Sequence, residues 1–348
     1  MTSRERVEAA LSHRTPDRCP VDFWAVPELI ERLSNHFSVS GEEDLLDVFQ
    51  VDMQFIFPEY KNLPFQRESD GSWFDEMGVH RREVKNRFCT YEEYASSPLG
   101  YVEDIQDFEN YNRWPDPNNF DWNGFAGKIA PAHQKRFTKL YSGGLFEYAW
   151  ALRGYEQFLI DMIESPEIAH FIMEKLCRYW SAFVENALIA AGDLIDIVYV
   201  YDDIAAQNSL LLSPKLLEEF IYPYHRRVNA VAKRFDKRIM YHSCGSVASE
   251  IPNIMKLPVD ILNPLQPKAA GMDFSRLKKL YGDSLCFHGG ICIQETMPRG
   301  TPEEVQRAAR NAIQNLGQNG GYVMAPAHYM QNDTPIENVI ALYDPAIR

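Results

Sequence analysis

The chain has 348 residues, of which 45% are hydrophobic and 24% are charged, and its formal net charge is −14. This composition is typical of a folded globular protein, and the length is compatible with one large α/β domain. The acidic balance argues against nucleic acid as a partner, because no basic block is present to neutralise phosphates, and no apolar run approaches the ~20 residues that a membrane span needs.

The N-terminus and the cysteines bear on the cellular compartment. The chain begins Met-Thr-Ser-Arg-Glu-Arg-Val-Glu, with charges where a secretory signal would be apolar. The cysteines show neither the spacing of a disulfide framework nor a C-x-x-C motif. They are Cys19, Cys89, Cys177, Cys244, Cys286 and Cys292. We therefore expect a cytoplasmic protein with a small-molecule substrate, in which the cysteines are free thiols or metal ligands.

The first 57 residues alternate between helical and extended patterns. Apolar residues at helical spacing predict helices over 3–12, 28–37 and 42–48. The short apolar runs 21–24 and 53–57 predict strands.

Residues 58–120 break this rhythm, because proline, glycine, asparagine and aromatic residues are dense there. The stretch Trp73-Phe-Asp-Glu-Met-Gly-Val-His-Arg-Arg-Glu-Val alternates around Gly78 and predicts a β-hairpin. We expect an insertion that covers one end of the scaffold. The alternative is a set of surface loops without that role.

Regular alternation resumes after residue 121. Apolar runs predict strands over 136–142, 194–201, 238–244, 260–263, 285–289 and 322–325. Helical patterns cover 167–190, a segment beginning at Ser213, 273–280, 301–316 and 335–343. With the strands near residues 21 and 53, the count is about eight. The absence of an early Gly-rich phosphate loop favours a (β/α)8 barrel over a doubly wound sheet. We expect a single domain, 1–348, with 58–120 as a lid within it.

In such a barrel, the residues just past each strand share one mouth. Polar and metal-ligating residue types follow most of the predicted strands. They are Asp22, Trp24, Glu59, the stretch 141–147, Asp202, Asp203, His242, Cys244, Asn263, Gln266, His288, His328 and Tyr329. Any one of them fits a hydrogen-bonded turn residue, but their recurrence at strand ends predicts a functional site.

His242 and Cys244 stand at the end of one predicted strand with one residue between them, so their side chains point the same way. Imidazole and thiolate are ligands that zinc prefers, and three protein ligands with one open position are typical of catalytic zinc. His328 follows another strand and would complete the set. Cys292 is the alternative third ligand. Without a metal, His328 would donate a hydrogen bond to a substrate carboxylate or phenol.

Asp202 and Asp203 are adjacent, so on an extended chain they face opposite ways. One of them is expected in the mouth. We favour Asp203, as an acid/base group beside the metal or as an anchor for a substrate hydroxyl or amine. The alternative is that both carboxylates accept hydrogen bonds from turn amides.

Several segments together resemble the uroporphyrinogen decarboxylase superfamily, which also contains the zinc-dependent methylcobamide:thiol methyltransferases. The opening segment, from Ser3-Arg-Glu-Arg-Val-Glu-Ala to Thr15-Pro-Asp-Arg-Cys-Pro-Val, is similar to the family's first helix and strand. Tyr241-His-Ser-Cys-Gly matches the H-x-C-G of the methyltransferase branch. Ser213-Pro to Tyr222-Pro-Tyr, His288-Gly-Gly-Ile and Asn332-Asp-Thr-Pro-Ile-Glu-Asn-Val complete a resemblance that spans essentially the whole chain.

The chain departs from the decarboxylase pattern where those enzymes grip a porphyrinogen. They carry R-Q-A-G-R after the first strand, whereas this chain reads Asp22-Phe-Trp-Ala-Val-Pro-Glu, without an arginine. Their pocket tyrosine falls at Trp150 and their pocket serine at Asp203. An acidic mouth would repel a substrate with many carboxylates, so porphyrinogen decarboxylation is not expected. In the methyltransferases, a late cysteine is the third zinc ligand, and the resemblance implies that His328 replaces it here.

The leading hypothesis is a zinc enzyme of the corrinoid-linked methyltransferase type. It would move a methyl group between a methylated corrinoid or methoxylated donor and a thiol- or pterin-type acceptor, with the corrinoid on a separate partner protein. Asp203 and His328 would be catalytic. The expected substrate contacts are Asp22, Trp24, Glu59, Trp150, Asp202, Gln266, His288 and Tyr329. The alternatives are a decarboxylase or carbon–carbon lyase of a small aromatic or hydroxy acid, and a non-catalytic binding barrel. A homodimer is left open.

Overall fold

A curled parallel sheet forms the centre of the structure, a computed structural model that describes residues 1–61 and 67–348. The strands are β1 Met53–Ile56, β2 Trp73–Phe74, β3 His80–Lys85, β4 Thr90–Ser96, β5 Phe137–Tyr141, β6 Ile197–Tyr201, β7 Arg238–His242, β8 Ile261–Leu265, β9 Cys286–Ile291 and β10 Tyr322–Pro326. Seven of these described strands pair in parallel in the order β1-β5-β6-β7-β8-β9-β10. The other three pair antiparallel in the order β2-β3-β4.

Helices separate the parallel strands along the chain, as a βα barrel requires. They are α1 Ser3–Leu11, α2 Pro27–Phe37, α3 Glu42–Val48, α4 Ile105–Asn110, α5 Trp122–Lys135, α6 Leu145–Arg153, α7 Tyr155–Glu164, α8 Pro166–Ala191, α9 Pro214–Leu216, α10 Tyr222–Arg234, α11 Ile251–Ile254, α12 Phe274–Tyr281, α13 Thr296–Arg299, α14 Pro302–Leu316 and α15 Ile336–Leu342. A π-helical turn, Leu217–Ile221, joins α9 to α10. This order confirms the predicted α/β barrel class. None of the described helices is both long enough and apolar enough to cross a membrane.

Residues 21–25 complete the ring between β10 and β1. Val21 and Ala25 bridge Met324 and Met330 in parallel. On the other side, the backbone N–H of Asp52 donates to Val21 O at 2.9 Å, and the Asp52 carboxylate accepts from Val21 N at 2.9 Å. The attachment to β1 therefore depends largely on one aspartate.

The strand predicted over 21–24 is wrong as a continuous strand: the Asp22 N–H still donates to Met324 O at 3.0 Å, but the Phe23 N–H and the Asp22 carbonyl bond elsewhere. The Phe23 N–H donates to the Asp22 carboxylate at 3.0 Å, and the Tyr343 hydroxyl donates to Asp22 O at 2.8 Å. The Phe23 N–H and the Asp22 carbonyl are therefore not available to pair with a neighbouring strand, and only isolated bridges remain.

Side chains from alternate strand positions fill the barrel, as the period of two requires. The inner cluster comprises Val7, Leu11, Trp24, Met53, Phe137, Ile197, Tyr199, Met240, Ile261, Cys286 and Val323. The intervening positions, such as Val198 and Val200, belong to the larger cluster between sheet and helices. On β7, Met240 and His242 share the same parity, which brings the histidine to the barrel axis.

Residues 67–120 build a small unit that contacts the carboxyl ends of the strands. The predicted hairpin is confirmed, since β2 and β3 pair antiparallel and Gly78 between them has φ 78°. From this unit, the Tyr94 hydroxyl donates to Glu147 at 3.1 Å, and Thr90 N donates to Glu28 at 2.8 Å. Residues 62–66, which belong to the predicted 58–120 insertion, lie outside the described residues.

Candidate metal centre

Two strand ends bring His242, Cys244 and His328 together. One ligand atom from each lies within 4.8 Å of the other two, and Cys244 Sγ is 3.5 Å from His242 Nε2. His242 is the last residue of β7, and His328 follows β10 on another part of the ring. The indole of Trp24 stacks on the His242 ring at 6.1 Å between centroids. The grouping rests on barrel closure, since His328 is far from the other two in sequence.

The surroundings set the protonation of these side chains. Burial lowers the pKa of His242, and it lowers the pKa of His328 to about 4, so both imidazoles are neutral at neutral pH. Neutral imidazole is the form that binds a metal. Burial, followed by the Asp203 carboxylate, raises the pKa of the Cys244 thiol. A divalent cation at this position would oppose both effects and favour the thiolate.

A hydrogen-bond network fixes the orientation of His242. His242 Nδ1 lies 2.5 Å from Asn263 Oδ1, and Asn263 Nδ2 lies 2.5 Å from His288 Nδ1. The amide nitrogen can only donate, so His288 Nδ1 accepts and its proton is on Nε2. The amide oxygen can only accept, so His242 carries its proton on Nδ1. The lone pair of His242 Nε2 is therefore directed toward Cys244 and His328.

The network continues into the barrel interior. His288 Nε2 donates to Asp22 Oδ2 at 2.9 Å, and the Trp24 indole donates to the same oxygen at 2.8 Å. The Lys139 ammonium, fully buried, also bonds this carboxylate. Although burial opposes it, Lys139 and His288 hold the pKa of Asp22 below its ordinary value. Behind His242 there is thus an ion pair and two fixed side chains, an arrangement typical of support around metal ligands.

The donor set fits zinc. Two neutral imidazoles and one thiolate are ligands that zinc prefers, and three protein ligands leave a fourth position for a small molecule. Cys292, the alternative third ligand, is buried and lies outside this grouping. It lines a cavity of about 220 Å³ together with Gln266 and His328.

The two adjacent aspartates have different environments. The Asp202 side chain is fully buried and accepts hydrogen bonds from the backbone N–H groups of Leu145, Phe146 and Glu147 at 2.9–3.0 Å. His225 Nε2 lies 2.5 Å from the same carboxylate. Asp202 therefore anchors the start of α6, which argues against its expected role as a substrate contact.

Asp203 lies beside the grouping, where sequence reasoning favoured it. Its Oδ1 accepts from Cys244 N at 2.8 Å and lies 3.6 Å from His242 Nε2. Its side chain is 51% exposed, so it remains accessible to a bound molecule.

Three of the expected substrate contacts lie beneath the grouping. Asp22, Trp24 and His288 are at most 2% exposed. The Trp24 indole and the His288 ring both donate hydrogen bonds to the Asp22 carboxylate. The expectation that Asp22 contributes free negative charge to the mouth is also corrected, because Lys139 pairs with it.

The remaining expected contacts divide between the mouth and the outer surface. Gln266 accepts from Gly245 N at 2.8 Å and borders the cavity beside His328. The Tyr329 ring packs against the His328 ring at 5.4 Å. Trp150 instead packs on Tyr94 of the 67–120 unit at 4.6 Å. Glu59, whose side chain is 68% exposed, pairs with Lys128 on the surface, which argues against its expected role.

Sequence reasoning missed a group of aromatic rings around the site. Tyr141 and Tyr199 stack at 5.4 Å, and Phe55 and Tyr201 pack beside them. Burial raises the pKa of Tyr141 to about 12, and it raises the pKa of Tyr199 and Tyr201 well above the ordinary value, so the phenols are neutral. The signal was present as aromatic residues at alternate positions of β5 and β6.

Lys139 was also missed, although a lysine within the apolar run Phe137-Thr-Lys-Leu-Tyr is a signal in itself. Glu147, reached only as part of the stretch 141–147, accepts a hydrogen bond from Tyr94. Burial and the carboxylates of Asp202 and Asp203 raise the pKa of Glu147 to about 7. It is a group that can hold or release a proton near neutral pH.

Comparison with known proteins relates the fold to solved structures. A methyltransferase from Methanosarcina mazei superposes with a TM-score of 0.69 at 15% sequence identity, covering 98% of this chain and 97% of that one. At this identity the likeness establishes the fold alone.

Curated proteins match over part of the sequence. A methylated-thiol–coenzyme M methyltransferase from Methanosarcina mazei is 24% identical over 196 residues, which is 56% of this chain and 49% of that protein. A uroporphyrinogen decarboxylase from Coxiella burnetii is 25% identical over 190 residues, which is 53% of this chain and 48% of that protein. The chain spans about half the length of the curated relatives that it matches.

The family assignment rests on a longer segment. Residues 141–347, more than half of the 348-residue chain, match the uroporphyrinogen decarboxylase (URO-D) family. This segment includes the three residues of the metal centre. The chain belongs to the uroporphyrinogen decarboxylase (URO-D) family.

Proposed function

We propose that the protein is a zinc-dependent methyltransferase of the corrinoid-linked type that acts on a small substrate. The observation that supports this most is the grouping of His242, Cys244 and His328, with ligand atoms within 4.8 Å of one another. The sequence likeness to a methylated-thiol–coenzyme M methyltransferase agrees with it.

Charge argues for methyl transfer over decarboxylation of a porphyrinogen. Apart from the ligands themselves, the charged groups that affect the pKa values of the three proposed ligands are the carboxylates Asp203 and Glu147. Among the described residues, two nearby cations already have carboxylate partners: Lys139 is bound to Asp22 beneath the site, and Arg81, which acts on Glu147, is bound to Asp75. A polycarboxylate would therefore meet carboxylates instead of cations, and each unpaired buried charge would cost several kcal/mol. A neutral or singly anionic substrate fits better.

The proposed roles follow from position. Zinc bound there would act as a Lewis acid toward one anionic atom of the substrate. His242, Cys244 and His328 would hold it, and Asp203, exposed and 3.6 Å from His242, would accept a proton or orient a substrate group. The rings of Tyr141, Tyr199, Tyr201 and Tyr329 would keep water away from the reacting atoms.

The same proposal includes the partner and the lid. The methyl donor or acceptor would include a corrinoid carried by a separate protein, with a thiol- or pterin-type molecule as the other substrate. Residues 58–120 would form the lid of a single domain, 1–348. The contact between Tyr94 and Glu147 supports this, because it joins that segment to the loop side of the barrel.

The first experiment measures metal content. Protein from metal-replete cells should contain about one zinc per chain, and Cys244→Ala should abolish stoichiometric zinc. Cys292→Ala is the matched control, since this cysteine is buried at the same mouth and lies outside the grouping. Full zinc in Cys244→Ala would contradict the proposed centre.

The second experiment measures methyl transfer. The zinc-loaded protein is given free methylcobalamin and a panel of thiols and tetrahydrofolate, and loss of methylcobalamin absorbance is followed. The loss should depend on the protein and disappear in His242→Ala. No consumption with any acceptor, together with decarboxylation of a small aromatic or hydroxy acid, would replace the proposal with a decarboxylase. Efficient turnover of uroporphyrinogen would refute the charge argument.

A further inference from the structure

A second cavity, of about 500 Å³, opens through the side of the barrel. It lies where residues 21–25 and β1 part beyond their attachment at Asp52. Its wall includes Asp22, Glu42, Glu43, Phe55, Phe57 and Tyr329. We call it the lateral cavity. A volume in this range is typical of a site for a small organic molecule.

The wall of the lateral cavity is mainly apolar, with aromatic rings on one side. Phe55 and Phe57 lie 6.0 Å apart between ring centroids, and Tyr329 also borders the space. Phe57 is 49% exposed although it is a large apolar side chain. Such a surface favours the apolar body of a ligand, and aromatic faces also attract cations.

The carboxylates of the lateral cavity differ in which groups neutralise their negative charge. Asp22 pairs with Lys139. Glu43 lies 2.7 Å from Arg136 Nη1 and accepts from Gln54 at 2.6 Å. Glu42, the first residue of α3, has no hydrogen bond or ion pair from its side chain within residues 1–61 and 67–348. Among the described residues, Glu42 is thus the carboxylate of the lateral cavity that has no direct partner, and its side chain is exposed to solvent.

We propose that the lateral cavity binds a small organic monocation, with its ammonium group beside Glu42 and its apolar body against Phe55 and Phe57. A single unpaired carboxylate in an apolar cavity matches one positive charge on an apolar body. An anion would meet like charge, and a metal ion would find too few ligands. Although the Glu42 side chain is exposed, partial desolvation beside the cavity wall and the charge of Asp22 raise its pKa, and Lys139 opposes this shift as an added cation would.

The lateral cavity shares the wall residue Tyr329 with the surroundings of the candidate metal centre but includes none of the three proposed ligands. The Trp24 ring stands between the cavity and these ligands, packed on His242 at 6.1 Å and on Tyr329 at 5.2 Å. The inference therefore does not depend on zinc or on methyl transfer, and it is tested without either.

Calorimetric titration of the full chain tests it with three probes that share a phenylethyl body. They are 2-phenylethylammonium, 2-phenylethanol and 3-phenylpropanoate. We expect the ammonium to bind at least fivefold more tightly than the alcohol, and the carboxylate more weakly than either. Glu42→Gln should remove the preference for the ammonium and leave the affinity for the alcohol unchanged. Phe57→Ala should weaken the binding of both the ammonium and the alcohol.

Glu31→Gln is the matched control, because this glutamate is exposed on α2 and lies outside the cavity wall. It should bind the ammonium like the unsubstituted protein. The titration is repeated with Cys244→Ala, where unchanged binding would show that the lateral cavity acts independently of the metal centre. No preference for the ammonium, or the same preference in Glu42→Gln, would overturn the proposal.

Discussion

His242 Nδ1 lies 2.5 Å from the side-chain oxygen of Asn263 on the neighbouring strand. This contact sets the tautomer of His242 and leaves Nε2 free for a metal. An orienting group of this kind typically changes metal affinity 10–100-fold.

We therefore expect Asn263→Leu to weaken zinc binding by about 10–100-fold, because His242 loses its acceptor. Asn263→Asp should weaken it less, since a carboxylate still accepts from His242 Nδ1. Competition with a chelator of known affinity measures both. An unchanged dissociation constant in Asn263→Leu would show that the ring is held by packing alone.

The buried pair of Lys139 and Asp22 should dominate the stability of the barrel interior. Lys139→Met leaves a buried carboxylate without its cation, so we expect a loss of about 3–5 kcal/mol in the free energy of unfolding. The double variant Lys139→Met/Asp22→Asn removes both charges and should recover most of that loss. Denaturant unfolding gives the values. Equal instability of the single and double variants would mean that packing of the lysine stem matters more than charge.

Glu147 should make stability depend on pH near neutrality. Burial raises its pKa from the ordinary 4.5 to about 7, so the folded protein binds the proton more tightly than the unfolded chain. Its contribution is present below pH ~4.5 and is lost as pH rises to about 7. Glu147→Gln should resemble the parent at pH 4.5 and exceed its stability by about 2 kcal/mol at pH 8. Glu156→Gln on the exposed face of α7 should show no such difference. A Glu147→Gln protein without any gain at pH 8 would contradict the assignment.

Substitution of Asp202 should mainly reduce stability, whereas substitution of Asp203 should mainly reduce activity. Asp202→Asn weakens the anchor of α6 and should cost about 2–4 kcal/mol in the free energy of unfolding. Asp203→Asn keeps an oxygen to accept from Cys244 N, so its stability should change by less than about 1 kcal/mol. In the methyl-transfer assay, Asp203→Asn should lose most activity. Full activity in Asp203→Asn would remove it from the proposed chemistry.

Much of the scaffold could be predicted because its pattern is local. Apolar runs and turn residues mark β5 to β10, and the parity of a strand placed His242 and Cys244 on one face. Recognition of His328 needed only the rule that strand ends meet at one mouth. The interruption at residues 21–25 could not be read in this way, since it depends on Tyr343, more than 300 residues along the chain, bonding the Asp22 carbonyl.

The charges of the site were harder to predict than its position. Asp22 was expected at the mouth, but it pairs with Lys139 beneath the site, and Asp202 was expected to contact substrate, but it accepts hydrogen bonds from the start of α6. In each case the partner comes from another strand or helix. Sequence spacing indicates where a carboxylate lies along the chain, but only the assembled barrel determines which group neutralises it.

The interrupted attachment at residues 21–25 gives the barrel a mechanical property that a fully paired ring lacks. A cylinder slit along one side resists twisting less than a closed one. Here the two sides of the gap are joined near one end by Asp52, whose carboxylate accepts a hydrogen bond from Val21 N. The same carboxylate pairs with Arg6 at 2.8 Å and Arg18 at 2.7 Å. The fastening is ionic and lies away from the metal centre. The wall beside Trp24 therefore has fewer backbone hydrogen bonds to strain than the rest of the ring, whereas His242 ends a strand that is paired on both sides.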